Sequence, residues 1–356
     1  MKEYTIKCEL KDKESLTTYI KSRGGNIVYF SPVLPILGAE LSEDVKFDVE
    51  EKFNLTYIME SPNGQLQEIK GSLSELPKSP VILMPGLNSK GLRNINKLGW
   101  GTTVAVLDSG VSESWISEHV DYTGFGSMPA IDHGTKVANI IKQFAPGSKI
   151  LSYKVCQGKD VSFFNVMKAI DDAVIKADII NISIGFKLSC SLQNPCSLCE
   201  AVNYYTVNSG KLFVVAAGNV GKENSIECPG NAQESITVGS VNHDSFELAP
   251  YSSRGVPGIK KPNIITTGTI YYTEGPMQGI SNGTSFSTPI VSGVCASLFH
   301  ELDKNISKTK AYLYNTAKDL GLPEHHQGFG LLDLNYLLEV LQNDQGNSKS
   351  EGQIPN

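Results

Sequence analysis

Gly283-Thr284-Ser285-Phe286-Ser287-Thr288-Pro289 sets a serine among small residues on a tight turn, then opens an apolar run from Pro289-Ile290-Val291 to Leu298-Phe299. The pattern reads as a nucleophile at the mouth of a buried helix. A serine hydroxyl is a weak nucleophile until a base takes its proton and a third group orients that base. The stretch therefore calls for a histidine, a carboxylate and an oxyanion donor elsewhere in the chain, each presented on its own turn.

Working outward, each is found. Thr102-Thr103-Val104-Ala105-Val106-Leu107 is a short apolar run that reads as a buried parallel strand, and it ends in Asp108-Ser109-Gly110. Open α/β sheets place their ligands at the C-terminal ends of strands. Asp132-His133-Gly134-Thr135 precedes Val137, Ala138, Ile140 and Ile141 at helical spacing, so His133 opens a helix. Lys211 to Ala217 is another apolar strand, closing on Gly218-Asn219. An amide there can point into the same crevice. Taken singly these are ordinary residues: a turn or cap aspartate, a structural or solvated histidine, a turn-forming asparagine, a capping serine. Taken together, four polar residues in the order Asp, His, Asn, Ser, each ending an apolar strand or opening an apolar helix, point to nucleophilic catalysis. His119 is the rival base, but it follows a mixed polar stretch and lacks the Gly-Thr turn. His325-His326, in a loop before Gly328-Phe329-Gly330, reads as solvated rather than metal-binding.

On Val106-Leu107-Asp108-Ser109-Gly110, His133-Gly134-Thr135, Ala216-Ala217-Gly218-Asn219 and Gly283-Thr284-Ser285 with Thr288-Pro289, the chain resembles the subtilisin-like serine proteases (subtilases), from about Trp100 to about Leu341. The resemblance implies that Ser285 attacks a scissile carbonyl, that His133 takes and returns the proton, and that Asp108 holds the imidazole in the right tautomer. It makes the Asn219 side chain and the Ser285 backbone N–H the oxyanion donors. It also implies that Ser183, Ile184 and Gly185 line one wall of the S1 pocket and pair with substrate backbone. Ala216, Ala217 and Gly218 would form the other wall, and Ile226 to Gly230 its base. Glu227 would then face the P1 side chain and favour Lys or Arg by charge pairing; the plainer reading is a solvated loop glutamate. The chain departs from the family pattern at Lys136, where a second histidine is usual, at Asn139 (glycine), at Ser287 (alanine) and at Thr266-Thr267-Gly268 (Ala-Pro-Gly). None of these removes a catalytic group.

With 356 residues the chain can hold two domains. Apolar content of 40% and charged content of 19% suit a globular protein. The net charge of −6 argues against nucleic acid as a partner. No apolar run approaches the roughly 18 residues of a membrane span. Met1 to Lys7 has no apolar stretch of the signal-peptide kind, and seven cysteines suit a reducing compartment. A cytoplasmic location is expected, with secretion as the alternative.

The N-terminal 1–75 has its own rhythm: strands near 4–10, 26–30, 36–41 and 55–59, and helices from Ser15 and from Ser42. This βαββαβ order resembles a subtilase propeptide, which implies a folding template and intramolecular inhibitor. An unrelated α+β accessory domain is the alternative. Residues 76–98 are expected to be a linker carrying the processing site, with Lys70 or Lys78 as suitable P1 residues. The catalytic domain is expected over 99–342, as a three-layer α/β/α fold with a largely parallel sheet. A disordered tail is expected over 343–356.

Cys190, Cys196, Cys199 and Cys228 fall near the S1 region, with Cys196 and Cys199 forming a CxxC pair. They can form disulfides, remain thiols or bind zinc; zinc is not the favoured reading and no cofactor is expected. Cys8, Cys156 and Cys295 sit in apolar runs as buried thiols. The helix after His133 runs almost directly into Ala145-Pro146-Gly147, so the family's calcium loop is expected to be absent. The expected function is a self-processing serine endopeptidase acting on protein or peptide substrates. The alternatives are a peptide ligase or macrocyclase using the same acyl-enzyme, and a non-catalytic binding protein on a protease scaffold.

Overall fold

The alternation of the strand Thr103–Asp108 shows how the layers are built. Val104 and Val106 pack into one core with the helices His133–Phe144 and Thr284–Glu301, while Ala105 and Leu107 pack into a second core with the helices Phe163–Lys176 and Ser197–Ser209. A strand buried on both faces must be apolar at every position, which is why these runs show no hydrophobic–polar alternation. The computed structural model describes residues 1–66, 68–71, 98–274 and 277–350.

The central sheet has seven strands in the spatial order Ile264–Thr267, Ile236–Val241, Leu212–Ala216, Ile179–Ile182, Thr103–Asp108, Lys149–Lys154 and Glu118–Asp121. All neighbours pair in parallel, so the fold is the expected three-layer α/β/α. The two strands read from the sequence, near 102–107 and 211–217, both lie inside this sheet, away from its edges. Glu118–Asp121 escapes a hydrophobicity reading because it is half-exposed and carries Glu118, His119 and Asp121 among its four residues. The chain breaks step at Ser183, so that Ile184–Gly185 leaves the main sheet and joins a smaller one.

The N-terminal region is a four-stranded antiparallel sheet in the order Asn26–Phe30, Ile36–Leu41, Lys2–Cys8, Leu55–Glu60, with helices Lys13–Ser22 and Glu43–Lys52. Tyr4, Ile6, Leu16, Ile20, Leu37, Leu41 and Val49 give it a core of its own. The sheet docks on the helices Phe163–Lys176 and Ser197–Ser209. Tyr29 stacks on Phe164 with ring centroids 5.9 Å apart, and the Tyr29 and Tyr205 hydroxyls donate to Asp171 at 2.8 and 2.7 Å. Lys7 pairs with Glu200. The approach is close enough that a Cβ on Gly38 would lie 2.3 Å from the Phe164 ring.

Beyond this domain the chain enters the cleft. Asn63–Leu66 forms the middle strand between Asp160–Ser162 and Ile184–Gly185, antiparallel to both. Ile69–Gly71 then pairs with Met277–Asn282, itself half of a hairpin with Thr269–Glu274. The stretch expected to hold the processing site, 76–98, lies outside the described residues apart from Leu98, as does Lys78. At the other end the helix Leu334–Ser350 runs into the stretch expected to be a disordered tail. Leu334, Leu337, Leu338 and Leu341 bury its first turns, and Tyr312 donates to Asp344 at 2.6 Å, which explains why the helix continues past Asn343. Residues 351–356 lie outside the described residues.

Candidate active site

The four residues expected from the sequence are brought together by two strand ends and two helix starts. Asp108 is the last residue of its strand and His133 the first of its helix. Both side chains are fully buried, and His133 Nδ1 lies 2.8 and 3.0 Å from the two Asp108 oxygens. The Ser109 amide also donates to Asp108 Oδ1 at 2.7 Å. Glycine is required at 134, because a Cβ there would lie 2.3 Å from the Gly110 carbonyl and 3.1 Å from the Asp108 carboxylate. This small residue lets the helix start close against the acid. With Nδ1 committed to Asp108, Nε2 is the nitrogen left open to take a proton; it is buried and has no hydrogen-bond partner among the described residues.

Ser285 sits in the first turn of the helix Thr284–Glu301, where backbone N–H groups have no helical partner and the helix dipole favours negative charge. Its hydroxyl donates to the Ser183 carbonyl at 3.2 Å, and Ser183 Oγ returns a bond to the Ser285 carbonyl at 3.0 Å. That carbonyl is available because Pro289, four residues on, has no N–H to donate to it. The proline inside this helix thus serves the wall that faces the nucleophile.

Asn219 follows the strand Leu212–Ala216. Its Oδ1 accepts from both the Thr284 amide and the Thr284 hydroxyl, each at 3.0 Å. The clamp fixes the amide orientation and leaves Nδ2 buried, with no hydrogen-bond partner among the described residues. A desolvated donor held beside a nucleophile is the arrangement that stabilises a developing oxyanion.

Glu227 is buried, not a solvated loop residue. Its amide donates to the Ala217 carbonyl at 3.0 Å, and a Cβ on Gly218 would lie 2.6 Å from its Oε2. The carboxyl is therefore packed against the Ala216 to Gly218 wall. It borders a cavity of ≈ 390 Å³ shared with Leu188, Val220 and Ile226. Ser183, Ile184 and Gly185 do not line that cavity; Ile184 pairs opposite Leu66 and Gly185 opposite Gln65. Lys70 lies in the strand paired with Met277–Asn282, opposite Ser281.

The departures from the family pattern find local uses. Asn139 donates to Glu113 at 2.9 Å and Ser287 to the Thr266 carbonyl at 3.3 Å. Lys136 is buried and pairs with Glu68 at 3.2 Å, and Ser281 donates to the same carboxylate oxygen at 2.6 Å. Burial works to raise the Glu68 pKa, but the bond from Ser281 and the charges of Lys136 and His133 outweigh it and hold the carboxyl below the ordinary range. Glu68, Ser281 and the Thr284 clamp were not found in the sequence. The one available signal was a lysine in place of a histidine one turn after His133. His119 is exposed on the outer edge strand and takes no part. His325 and His326 both lie beside Glu223, at 3.2 and 2.8 Å.

All seven cysteines are free thiols. Cys190, Cys196, Cys199 and Cys228 nevertheless converge, their sulfurs all within 4.8 Å of one another. No disulfide joins them here, and Cys190 and Cys199 lie 3.5 Å apart. Hydrogen bonds from Cys196, Cys199 and Cys228 hold the Cys190 thiol far below the usual thiol range, whereas burial pushes Cys199 up.

The profile of the subtilase family matches residues 99–330, well over half of the chain. The chain belongs to the subtilase family. Subtilisin E of Bacillus subtilis (strain 168) is 26% identical over 352 residues, a match covering 88% of this chain and 84% of that protein. Pyrolysin of Pyrococcus furiosus is 28% identical over 241 residues, but the match spans only 17% of its length. In fold, the chain is similar to the epidermin leader peptide processing serine protease (EpiP) of Staphylococcus aureus, with a TM-score of 0.76 at 20% identity, covering 95% of this chain and 99% of that one. The subtilase is accordingly a serine endopeptidase, and its substrates are proteins or peptides.

Proposed function

We propose that this subtilase is made as a self-processing zymogen, that Ser285, His133 and Asp108 cleave it in cis, and that the N-terminal domain then remains as its inhibitor. The observation that carries the reading is the course of the chain through the cleft. Asn63–Leu66 pairs with the wall at Ile184–Gly185, and Ile69–Gly71 pairs with the strand Met277–Asn282. The two pairings flank the nucleophile as the two halves of a bound substrate would.

Of the peptide bonds between Leu66 and Ile69 we assign the middle one, Gln67–Glu68, as the bond cut. The Glu68 side chain is held by Lys136, on the first turn of the helix that His133 opens, which suits a residue immediately beyond the scissile bond. Ser285 Oγ attacks the carbonyl, with its proton passing to His133 Nε2. The oxyanion takes hydrogen bonds from Asn219 Nδ2 and the Ser285 amide. His133 then protonates the leaving amine of Glu68, and water, deprotonated by His133, releases the acyl group from Ser285. A buried carboxylate at Glu227 favours a hydrogen-bond donor at P1, so Lys and Arg suit it, and so does the neutral amide of Gln67. In substrates cut in trans, Lys136 favours an acid immediately after the cut.

Intact mass of wild type beside Ser285→Ala tests this. The expected result is a wild-type break after residue 67 and a full-length variant. Two full-length chains would refute self-processing, and a wild-type break confined to 72–98 would refute the assignment of the bond.

A further inference from the structure

We infer that Cys190, Cys196, Cys199 and Cys228 form a structural zinc site that braces the wall of the S1 region. A tetrathiolate zinc has Zn–S bonds of about 2.3 Å, which puts neighbouring sulfurs about 3.8 Å apart at tetrahedral angles. Here all four sulfurs lie within 4.8 Å of one another, in one mutual cluster and not as two separated pairs. A small contraction would complete the tetrahedron. Disulfide formation would instead have to split the cluster into pairs about 2 Å apart.

The backbone around the cluster is arranged for thiolates. Cys196 caps the helix Ser197–Ser209 and Cys199 lies in its first turn, where the helix dipole stabilises negative sulfur. The Cys196 amide donates to Cys190 Sγ at 3.2 Å. Cys196, Cys199 and Cys228 are buried and Cys190 is half-buried, leaving an approach for the ion from one side. Burying this many thiols side by side serves packing poorly, since a sulfur gains more from apolar neighbours than from other thiols. Binding Zn²⁺ releases the protons of the thiols it converts to thiolates and leaves a closed site with no open position for catalysis.

The site's place in the fold gives it a job. Cys228 exchanges both backbone hydrogen bonds with Phe186, each at 2.9 Å, and directly follows Glu227. Cys190 lies on the loop that leaves the substrate-pairing segment Ile184–Gly185. One ion would therefore tie together the loop from the first wall, the helix behind it and the turn that carries Glu227.

The test is the metal content and thiol count of full-length Ser285→Ala, which removes self-digestion, expressed in zinc-supplemented medium. One tightly held zinc per chain is expected. It should resist gel filtration, and a mercurial reagent should release it. After denaturation in chelator without reductant, all seven thiols should react with Ellman's reagent. Cys8→Ser should keep the metal and Cys196→Ser should lose it. Replacement by cobalt should give the thiolate charge-transfer absorption of a tetrahedral site, a readout that does not depend on the Cys196 variant folding. A zinc-free protein overturns the inference whether its four cysteines are titrated as thiols or its mass is lowered by the hydrogens lost to disulfides. Neither the metal content nor the cobalt spectrum depends on protease activity, so failure here is separable from failure of the proposed self-processing.

Discussion

Replacing Asn219 by alanine tests the oxyanion geometry directly. In the resting enzyme the Asn219 carbonyl is clamped by Thr284 N and Thr284 Oγ1, each at 3.0 Å, and Nδ2 is buried with no hydrogen-bond partner among the described residues. In the transition state Nδ2 gains a bond to a charged oxygen, worth about 1.5–3 kcal/mol. It also sheds part of the roughly 1–3 kcal/mol that a buried donor costs while unmet. The two together reach about 3–4 kcal/mol, hence a loss of roughly 10²–10³ in kcat. That agrees with the figure known for the oxyanion asparagine of subtilisin, the family's worked case. Because the bond forms only as charge develops, kcat should fall while KM stays nearly constant.

The assay is steady-state hydrolysis of a fluorogenic peptide spanning residues 61–74, with circular dichroism to confirm folding. Thr284→Val provides an internal scale. It removes two neutral hydrogen bonds, the one Thr284 Oγ1 donates to Asn219 Oδ1 and the one it accepts from the Gly218 amide at 3.2 Å, while the Thr284 amide still holds Oδ1, so about 1–2 kcal/mol and about five- to thirtyfold in kcat is expected. A loss under about tenfold for Asn219→Ala, or a loss residing in KM, would refute the role. So would a Thr284→Val effect as large as that of Asn219→Ala.

Three further outcomes follow from the site. Asp108→Asn keeps the shape but stabilises the wrong imidazole tautomer, so kcat should drop by about 10⁴ while binding of the product peptide is unchanged; a drop under about tenfold would remove Asp108 from the triad. Glu68→Ala breaks a buried ion pair at a cost of about 3 kcal/mol, which should slow self-cleavage by about 10²-fold, and the swap Glu68→Lys with Lys136→Glu should restore part of it; a time course of band conversion reads both, and single variants within threefold of wild type would dissolve the pairing. Burial pushes Asp171 up to about 6, against the pull of the Tyr205 and Tyr29 hydroxyls, with Asp172 raising it and Lys13 lowering it. A raised carboxyl stabilises the docked N-terminal domain fully below the free value near 3.8 and loses that stabilisation as pH rises through about 6; gel filtration of the cleaved complex should show release increasing from pH 4.5 to 7.5, with the dependence lost in Asp171→Asn.

The catalytic set was legible because each member sits at a boundary between an apolar run and a turn. The strand before Asp108 and the helix after His133 are defined by local sequence, and a fully buried parallel sheet imposes that pattern at every position. The N-terminal domain was legible for the opposite reason: one face of its sheet packs on its own helices, and the alternation Tyr4, Ile6, Cys8 declares that face. What stayed hidden depends on pairings distant in sequence. Nothing local in Asn63–Leu66 says that it will lie between Asp160–Ser162 and Ile184–Gly185. The hairpin of Thr269–Glu274 with Met277–Asn282 is equally silent, since much of its value lies in receiving Ile69–Gly71. Glu68 and Lys136 lie 68 positions apart and meet only because both elements converge on the nucleophile. The cysteine cluster was visible in the sequence, but its state was not, because spacing alone fits pairs as well as a tetrahedron.

On the proposed reading, cutting Gln67–Glu68 would not by itself free the enzyme. The N-terminal domain is held by its sheet on the helices Phe163–Lys176 and Ser197–Ser209, through Tyr29 stacked on Phe164 and bonded to Asp171, and Lys7 on Glu200. None of these contacts lies across the scissile bond, so hydrolysis leaves them intact. The new carboxyl terminus stays paired to Ile184–Gly185 through Leu66 and Gln65, a product held at high effective concentration by the docked domain. The prime side differs. Glu68 and Ile69–Gly71 are tied to Lys136, Ser281 and the hairpin but, after the cut, belong to the catalytic chain's own N-terminus. Under the proposed self-processing, inhibition would therefore have two independent parts, a tethered product on one side and a self-occupied subsite on the other. Lifting only the first, by raising pH or by a second cut in the N-terminal domain, should give an enzyme whose KM for substrates with an acid after the cut stays high until Glu68 is displaced. A cleaved, N-domain-free preparation of Glu68→Ala should therefore bind such substrates more tightly than the wild type treated in the same way, and equal KM values would refute occupation of the prime side.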